Sequence, residues 1–396
     1  MHYSTILFAN ILKQCILKKQ DQYFLEIVFM IKKFDFQAIA KQFCLYGDLV
    51  SVAPYGNGHI NDTFEMVFDQ AGARMRYILQ RINTNVFRDP VNLMENIRRV
   101  TSHLAAKSEN SRQTLTLVPA VDGKSYVIDA EGNYFRTYLF IENAKSYDIL
   151  ETEKQAYEAA RAFGRFQADL SDIPGGRLAE TIKDFHNTPV RVQQLENAIK
   201  LDKCNRVKDV AAEIDFVLSR KPMTEKLIKL QADGVIPERI THNDTKLNNV
   251  MIDDATGSGI CVIDLDTVMP GLAHYDFGDM VRTGTSPAPE DEVDLSKICM
   301  RFNMFEALLR GYCSEAGRVL NDVELENLPF AGALITLEIG TRFLTDYLEG
   351  DVYFKTHREG HNLDRARSQF QLVRSIESQH DEMMKLLNNV KKELKK

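Results

Sequence analysis

Hydrophobic periodicity changes once along this chain, and that change limits the folds open to it. From Val50 to Ile141 apolar and polar residues alternate in short runs, "LVSVAPYGNGHINDTFEMVF", "MRYILQRI" and "KSYVIDAEGNYFRTYLFI", with turn signals at Gly123 and Glu131-Gly132-Asn133. One helical insert interrupts them. Pro90 to Leu104 starts with Pro and spaces Leu93, Ile97, Val100 and Leu104 along one helix face. Beyond Ile141 the pattern is helical: "EKQAYEAARAFGRFQADL" stacks Ala156, Ala160, Phe163 and Leu170, and amphipathic stretches follow Val190, Lys297, Leu328 and Leu363. The pattern predicts an α+β chain, a small sheet-rich part followed by a larger helical one. The length of 396 residues, 44% of them hydrophobic, suffices for one large domain or for two lobes with separate cores.

Charge and cysteine usage narrow the function. The formal net charge is −7 and no Lys/Arg run is sustained, which argues against a nucleic-acid or anionic-membrane surface and leaves small molecules as the expected partners. Six cysteines, Cys15, Cys44, Cys204, Cys261, Cys299 and Cys313, show neither C-x-x-C pairs nor metal-ligand spacing, so reduced thiols and a cytoplasmic location are expected. The first 30 residues have short apolar runs broken by Lys13, Lys18, Lys19, Asp21 and Glu26. They fit neither a signal peptide nor a spanning helix, and the functional chain is expected to begin near Met30. "TGTSPAPEDE", Thr283 to Glu292, is the one loosened stretch.

The chemistry concentrates between Ile240 and Arg282, where seven aspartates stand among strand-like apolar runs. His242-Asn243-Asp244 with Asn249 has the form H-x-D-x-x-x-x-N, and the apolar strand "ICVIDLD" follows a turn at "DDATGSG". This spacing is kinase-like. Phosphoryl transfer needs an acceptor hydroxyl aimed in line at the γ-phosphate and metal ions that neutralise developing charge. Asp244 would orient that hydroxyl and take its proton, while Asn249 and Asp264 would hold Mg²⁺, a hard cation that prefers oxygen. Asp276-Phe277-Gly278 spells D-F-G but lies 27 residues after Asn249, whereas Asp264 lies 15 after it at a strand end. The metal therefore goes to Asp264, and Asp276 and Asp279 become neighbouring or substrate-loop groups. Asp253 and Asp254 read as turn residues, and Asp266 as either a supporting group on a continuing strand or a turn residue.

"HNDTKLNN" together with "VIDLDTVMPGLAHYDFGD" resembles the aminoglycoside phosphotransferase and choline kinase superfamily, most closely its bacterial N-acetylhexosamine 1-kinase branch. "YGNGHINDTF", "YILQRIN", "EIGTRFLTDYLEGDVYFK" and "NLDRARSQFQL" resemble that branch too, in order, from about Phe36 to about Val373. The resemblance implies a bilobal protein-kinase-like fold with an extension at 1–35, a nucleotide-binding lobe at 36–143, a catalytic and acceptor-binding lobe at 144–396, and catalysis in the cleft. It also implies ATP as donor and the anomeric hydroxyl of N-acetylglucosamine or N-acetylgalactosamine as acceptor.

Further site residues follow from the same resemblance. Gly56 and Gly58, in the turn "GNGHINDTF", would let backbone amides approach phosphates, although such a turn is by itself an ordinary hairpin. The family's phosphate-pairing Lys is missing from "RYILQRI". Alignment puts Gln80 there with Arg81 beside it, and strand alternation forbids both from facing one side without a bulge. Glu95 is either the ion-pair partner of that position or a solvated charge. The adenine would bond the backbone of "FIENA", Phe140 to Ala144, which contains Glu142. His242 braces the loop rather than reacting. Tyr275, Asp279, Arg282 and Arg342 are the acceptor-binding candidates, with the alternative that Arg342 merely pairs with Asp346 one helical turn on. Two other readings stay open: a kinase for another small alcohol such as an aminoglycoside, choline or homoserine, and a non-catalytic nucleotide- or sugar-binding pseudokinase.

Overall fold

The computed structural model describes residues 34–56, 60–147 and 149–395. The expected extension at 1–35 therefore lies almost wholly outside the described residues, as do Cys15 and Gly58. Strands β1 (Asp48–Pro54), β2 (Asp62–Gln70), β3 (Ala73–Arg81), β4 (Val127–Ile128) and β5 (Tyr134–Leu139) form an antiparallel sheet of order β1-β2-β3-β5-β4. Alternation along β2 and β3 turns Phe64, Met66, Phe68, Tyr77 and Leu79 inward. They meet Phe34, Phe36, Ile39 and Phe43 in one apolar core. Helix α1 (Pro90–Lys107) follows β3 and buries Leu93, Met94, Ile97, Val100 and Leu104, the predicted face with one addition.

The remaining chain is mainly helical: α2 (Glu153–Asp169), α3 (Thr188–Leu201), α4 (Ala273–Thr285), α5 (Phe302–Ala316), α6 (Leu328–Glu349), α7 (His361–Ser378) and α8 (His380–Leu394). Two of the starts are legible locally. Thr152 and Gln155 form a reciprocal capping box before α2, and Asn187 caps α3 ahead of Pro189. Helix α4 runs to Thr285, where the Thr283 and Thr285 hydroxyls bond back to the Asp279 and Val281 carbonyls, and the loosened stretch begins only at Ser286. Between the helices lie β6 (Ala144–Lys145), β7 (Arg239–Thr241), β8 (Val250–Asp253), β9 (Gly259–Val262) and β10 (Met269–Gly271), arranged as β6-β8-β9 and β7-β10.

The chain divides into two compact units that are not consecutive in sequence. Among the described residues, one comprises those up to Met94 together with Thr116–Phe140, and the other Glu95–Leu115 together with those from Ile141 onward. A single cut near residue 143 would assign all of α1 to the sheet. Most of α1 instead groups with the helical unit, where Asn96 donates to the Ala179 and Val268 carbonyls and Arg99 to those of Pro174 and Gly176. Among the described residues no helix is long and apolar enough to cross a membrane. The five described cysteines are free, and burial pushes the Cys261 and Cys313 thiols up to about 12.

Candidate active site

Strand β7, paired with β10 through Thr241↔Met269, delivers the loop His242–Asn249. Buried Asp276, in the first turn of α4, holds this loop: its two carboxylate oxygens accept from the His242 amide at 2.9 Å and the Asn243 amide at 2.7 Å. Its carbonyl takes the Thr245 hydroxyl at 2.6 Å. Burial pushes the Asp276 carboxyl above its ordinary range, while His242 and the two amides draw it back. The literal D-F-G thus brackets the loop, and both of its carboxylate oxygens are occupied by backbone. Nothing in the spacing announces that bracket, which spans more than thirty residues.

His242 is buried edge-on to Phe163 and Phe166. Its Nδ1 accepts from the Asp244 amide at 3.3 Å, which leaves the ring proton on Nε2 to donate to the Ile263 carbonyl at 2.9 Å. Asn249 ends a single 3-10 turn, and its amide donates to the Asp244 carbonyl at 2.9 Å and lies 3.5 Å from Asp244 Oδ2. The strands β8 and β9 pair Val250 with Val262, and the Ile263 amide extends the ladder to the Asn249 carbonyl. Asp264 comes next, exposed and in the left-handed region at φ 58°. A non-glycine residue there is costly and characteristic of functional turns. Strand β9 stops at Val262, so Asp266 belongs to the turn Leu265–Thr267, buried.

The donors on this hairpin suit a hard cation. The amide nitrogen of Asn249 is directed to Asp244, which turns its oxygen the other way, and Asp264 adds a carboxylate. Among the described residues no group of three or more His, Cys, Asp or Glu could hold a metal alone.

In the sheet, the β2–β3 register runs unbroken from Asp62↔Arg81 to Gln70↔Ala73, so Gln80 and Arg81 face opposite sides. Arg81 pairs with Asp62 at 2.6 Å and stands over the Phe34 ring. Gln80 donates to the Thr63 hydroxyl and accepts from Arg136 Nε at 2.9 Å. Arg136, directly opposite on β5 and 1% exposed, is a cation that the search for a Lys on β3 overlooks. Gly56 has φ +74° and open space where a Cβ would stand. Glu95 makes a two-pronged pair with Arg98 on the surface of α1. Exposed Glu142 offers its carbonyl to Arg112, which also takes the Asn143 carbonyl and the Asp253 carboxylate. The Thr256 amide, followed by Arg112, holds the Asp253 carboxyl at about 2.

The four acceptor candidates occupy different surroundings. Asp279 and Arg282 are buried together at 2.8 Å, and Arg282 reaches Glu290 at 2.7 Å. Tyr275 packs at 5.1 Å against His186, whose Nδ1 lies 2.8 Å from Glu338 and whose Nε2 lies 2.9 Å from the Asn243 carbonyl. Arg342, one turn beyond Glu338 on α6, stands 5.6, 5.8 and 5.5 Å from the ring centres of Phe185, Tyr353 and Phe354. The alternative pairing is not formed: among the described residues Arg342 has no ion pair with Asp346. Asp346 instead accepts the amides of Val352, Tyr353 and Phe354 and the Asn362 side chain, fixing the loop that carries the rings. Burial, then the Arg342 charge, lowers the neighbouring Arg191 guanidinium below its ordinary value. Sequence reading missed Arg136, Arg112, His186, Glu338 and Tyr353. Only Glu338 and Tyr353 carried a signal, their place in the late "EIGTRFLTDYLEGDVYFK" segment.

A model of the phosphotransferase enzyme family (APH) matches residues 51–318, more than half of the chain. The chain belongs to the phosphotransferase enzyme family. It is similar in fold to a microcompartment-associated aminopropanol kinase, at TM-score 0.58 and 17% identity over 88% of this chain and 97% of that one. An aminoglycoside phosphotransferase from Alicyclobacillus acidocaldarius aligns at TM-score 0.53 and 11% identity over 91% and 96%. A spectinomycin phosphotransferase in complex with ADP and spectinomycin aligns at TM-score 0.53 and 13% identity over 85% and 94%. The fold is the α+β, kinase-like one, and the chemistry of the phosphotransferase enzyme family is that of a small-molecule kinase.

Proposed function

We propose that this phosphotransferase is an ATP- and Mg²⁺-dependent kinase for the anomeric hydroxyl of an N-acetylhexosamine, yielding the sugar 1-phosphate. The Asp244–Asn249 contact beside Asp264 carries this reading. The acceptor oxygen attacks the γ-phosphorus, the bond from that phosphorus to the β-bridging oxygen breaks, and ADP leaves. Asp244 orients the hydroxyl and accepts its proton late, which suits an anomeric hydroxyl more acidic than an ordinary alcohol. Mg²⁺, when bound at Asn249 and Asp264, supplies charge neutralisation on the phosphates. The Gly56 backbone is our candidate for phosphate contact, since Arg81 is committed to Asp62 and Arg136, 1% exposed, to Gln80.

Charge favours a neutral or acyl-bearing acceptor over a cationic one. Glu338 is engaged by His186 and Thr188, and Asp279 by Arg282 through one oxygen, its other oxygen being buried without a hydrogen-bond partner among the described residues, so the pull toward a neutral acceptor comes mainly from Arg282 and Arg342. Arg342, framed by three rings, offers a planar donor beside aromatic faces, the usual means of holding a sugar. The second reading, a kinase for a small amino alcohol or aminoglycoside, draws on what the similar structures act on. The test is ATP consumption with Mg²⁺ against N-acetylglucosamine, N-acetylgalactosamine, kanamycin, choline and homoserine, with the product phosphate located by phosphorus NMR. Turnover confined to a cationic acceptor would discard the sugar assignment, and silence on all five would favour the pseudokinase.

A further inference from the structure

We propose that His186 and Glu338 form a buried strut that positions Asp244 by gripping the backbone carbonyl of Asn243. His186 is a positioning residue in this proposal, and it rests on Asp244 being the catalytic carboxylate.

The residue before Asp244 is unusually constrained. Asn243 holds a left-handed φ of 65°, and its polar atoms are engaged. Its amide goes to Asp276, its side-chain oxygen accepts from the Thr241 hydroxyl, and its side-chain nitrogen donates to the Thr241 and Thr267 carbonyls. Its carbonyl goes to His186 Nε2 at 2.9 Å. All but the last of these partners belong to the β7–β10 region or to α4. His186 alone ties the residue to α6, through Glu338 at 2.8 Å, and Thr188 holds the other Glu338 oxygen at 2.7 Å.

Proton placement makes the strut directional. A carbonyl only accepts, so Nε2 must carry hydrogen to bond Asn243. A carboxylate also accepts, so a second proton lies between Nδ1 and Glu338. A neutral ring beside an ionised Glu338 would set lone pairs against each other at one end. Burial, to which Tyr275 adds by covering the ring, opposes the charged form, but Glu338 on α6 and Asp276 and Asp279 on α4 favour it and Arg342 favours the ionised Glu338. The imidazole and carboxylate are 3% and 0% exposed. Buried ion pairs contribute little to net stability compared with packed apolar residues of the same size, and their better-attested use is fixing geometry. Here the geometry fixed is the peptide bond leading into Asp244, from the helix that also carries Arg342.

Two substitutions separate positioning from packing. Gln places its amide nitrogen where His has Nε2 and retains the bond to Asn243, whereas Asn mimics only Nδ1 and falls short. Both remove the same ionic partner from Glu338, so their stability loss is shared. With N-acetylglucosamine as acceptor and rates normalised to folded enzyme, His186→Asn is expected to lower kcat about 10- to 100-fold. The Michaelis constants for ATP and sugar should hold, and His186→Gln, which keeps the Asn243 bond without the Glu338 anchor, should fall between His186→Asn and the parent enzyme. Equal rates for the two variants would overturn the strut. Histidine ¹⁵N NMR of the full chain gives a readout independent of turnover: two nitrogen-bound protons on His186 at neutral pH are expected, and one would overturn the proposal. An Asp244→Asn enzyme that keeps its activity overturns the catalytic reading itself, and the strut's purpose with it. An inactive Asp244→Asn alongside equal His186 variants overturns the strut alone.

Discussion

At the scale of single residues, the His242–Asn249 loop is governed by partners that the motif does not contain. Asp276 satisfies two consecutive backbone amides with one carboxylate, so Asp276→Asn would set an amide N–H₂ against a backbone N–H. The expected cost is about 1–3 kcal/mol of stability. The displaced loop should lower kcat by about 10- to 100-fold. Urea titration and steady-state kinetics check both, and an unchanged kcat would separate the bracket from catalysis. Arg342 tests the acceptor side. With its aromatic frame and no pairing to Asp346, Arg342→Ala should raise the Michaelis constant for the sugar by roughly 10-fold, about 1.4 kcal/mol, and leave that for ATP unchanged. A sugar constant that does not move would remove Arg342 from the site. The spacing H-x-D-x-x-x-x-N pointed to Asp244 and Asn249 because their relation is local, set by one turn of chain. The engagement of Arg81 with Asp62, and of Gln80 with Arg136, was not legible, since it depends on which strands pair.

At the scale of elements, helix pairs are set by small residues where backbones touch. Gly164 on α2 and Gly311 on α5 face each other's helix: an added Cβ would lie 2.4 Å from the Tyr312 carbonyl oxygen in one case and 2.2 Å from that of Tyr157 in the other. Neither backbone can yield without separating the helices, so Gly311→Ala should cost about 1–3 kcal/mol, read as a lowered urea midpoint at unchanged slope. No loss would mean that the helices shift freely. Helix existence and inward faces were legible from 3.6-residue spacing, as Ala156, Ala160 and Phe163 on α2 illustrate. The end of α4 was not. Ser, Pro and acidic residues suggested loosening from Thr283, yet the last turn stays helical with Gly284 and Thr285 buried in packing.

At the scale of the whole molecule, the His186–Glu338 pair gives folding stability a pH signature. Burial opposes ionisation of both groups, yet each one's charge, with its hydrogen bonds, carries His186 above its ordinary 6.5 and Glu338 below its ordinary 4.5. A raised histidine contributes stability that is present below 6.5 and lost as pH rises through its folded value. A lowered carboxyl contributes stability that is present above 4.5 and lost as pH falls through its folded value. Thermal midpoints should therefore fall on both sides of the interval between 4.5 and 6.5, and His186→Gln should flatten the alkaline fall; an identical profile in that variant would contradict the charged pair. The sequence by itself determined the order of elements, the sheet-then-helix texture and the loop holding Asp244 and Asn249 with Asp264 one hairpin on, because periodicity and motif spacing act over a few residues. Tertiary structure alone decided that α1 groups mainly with the helical unit, that Asp276 brackets the loop, that Asp346 serves the Val352–Phe354 amides, and that His186 meets Glu338 across 152 positions of chain. Those choices are made by buried polar groups that must find partners wherever packing brings them, and no local pattern encodes where that will be.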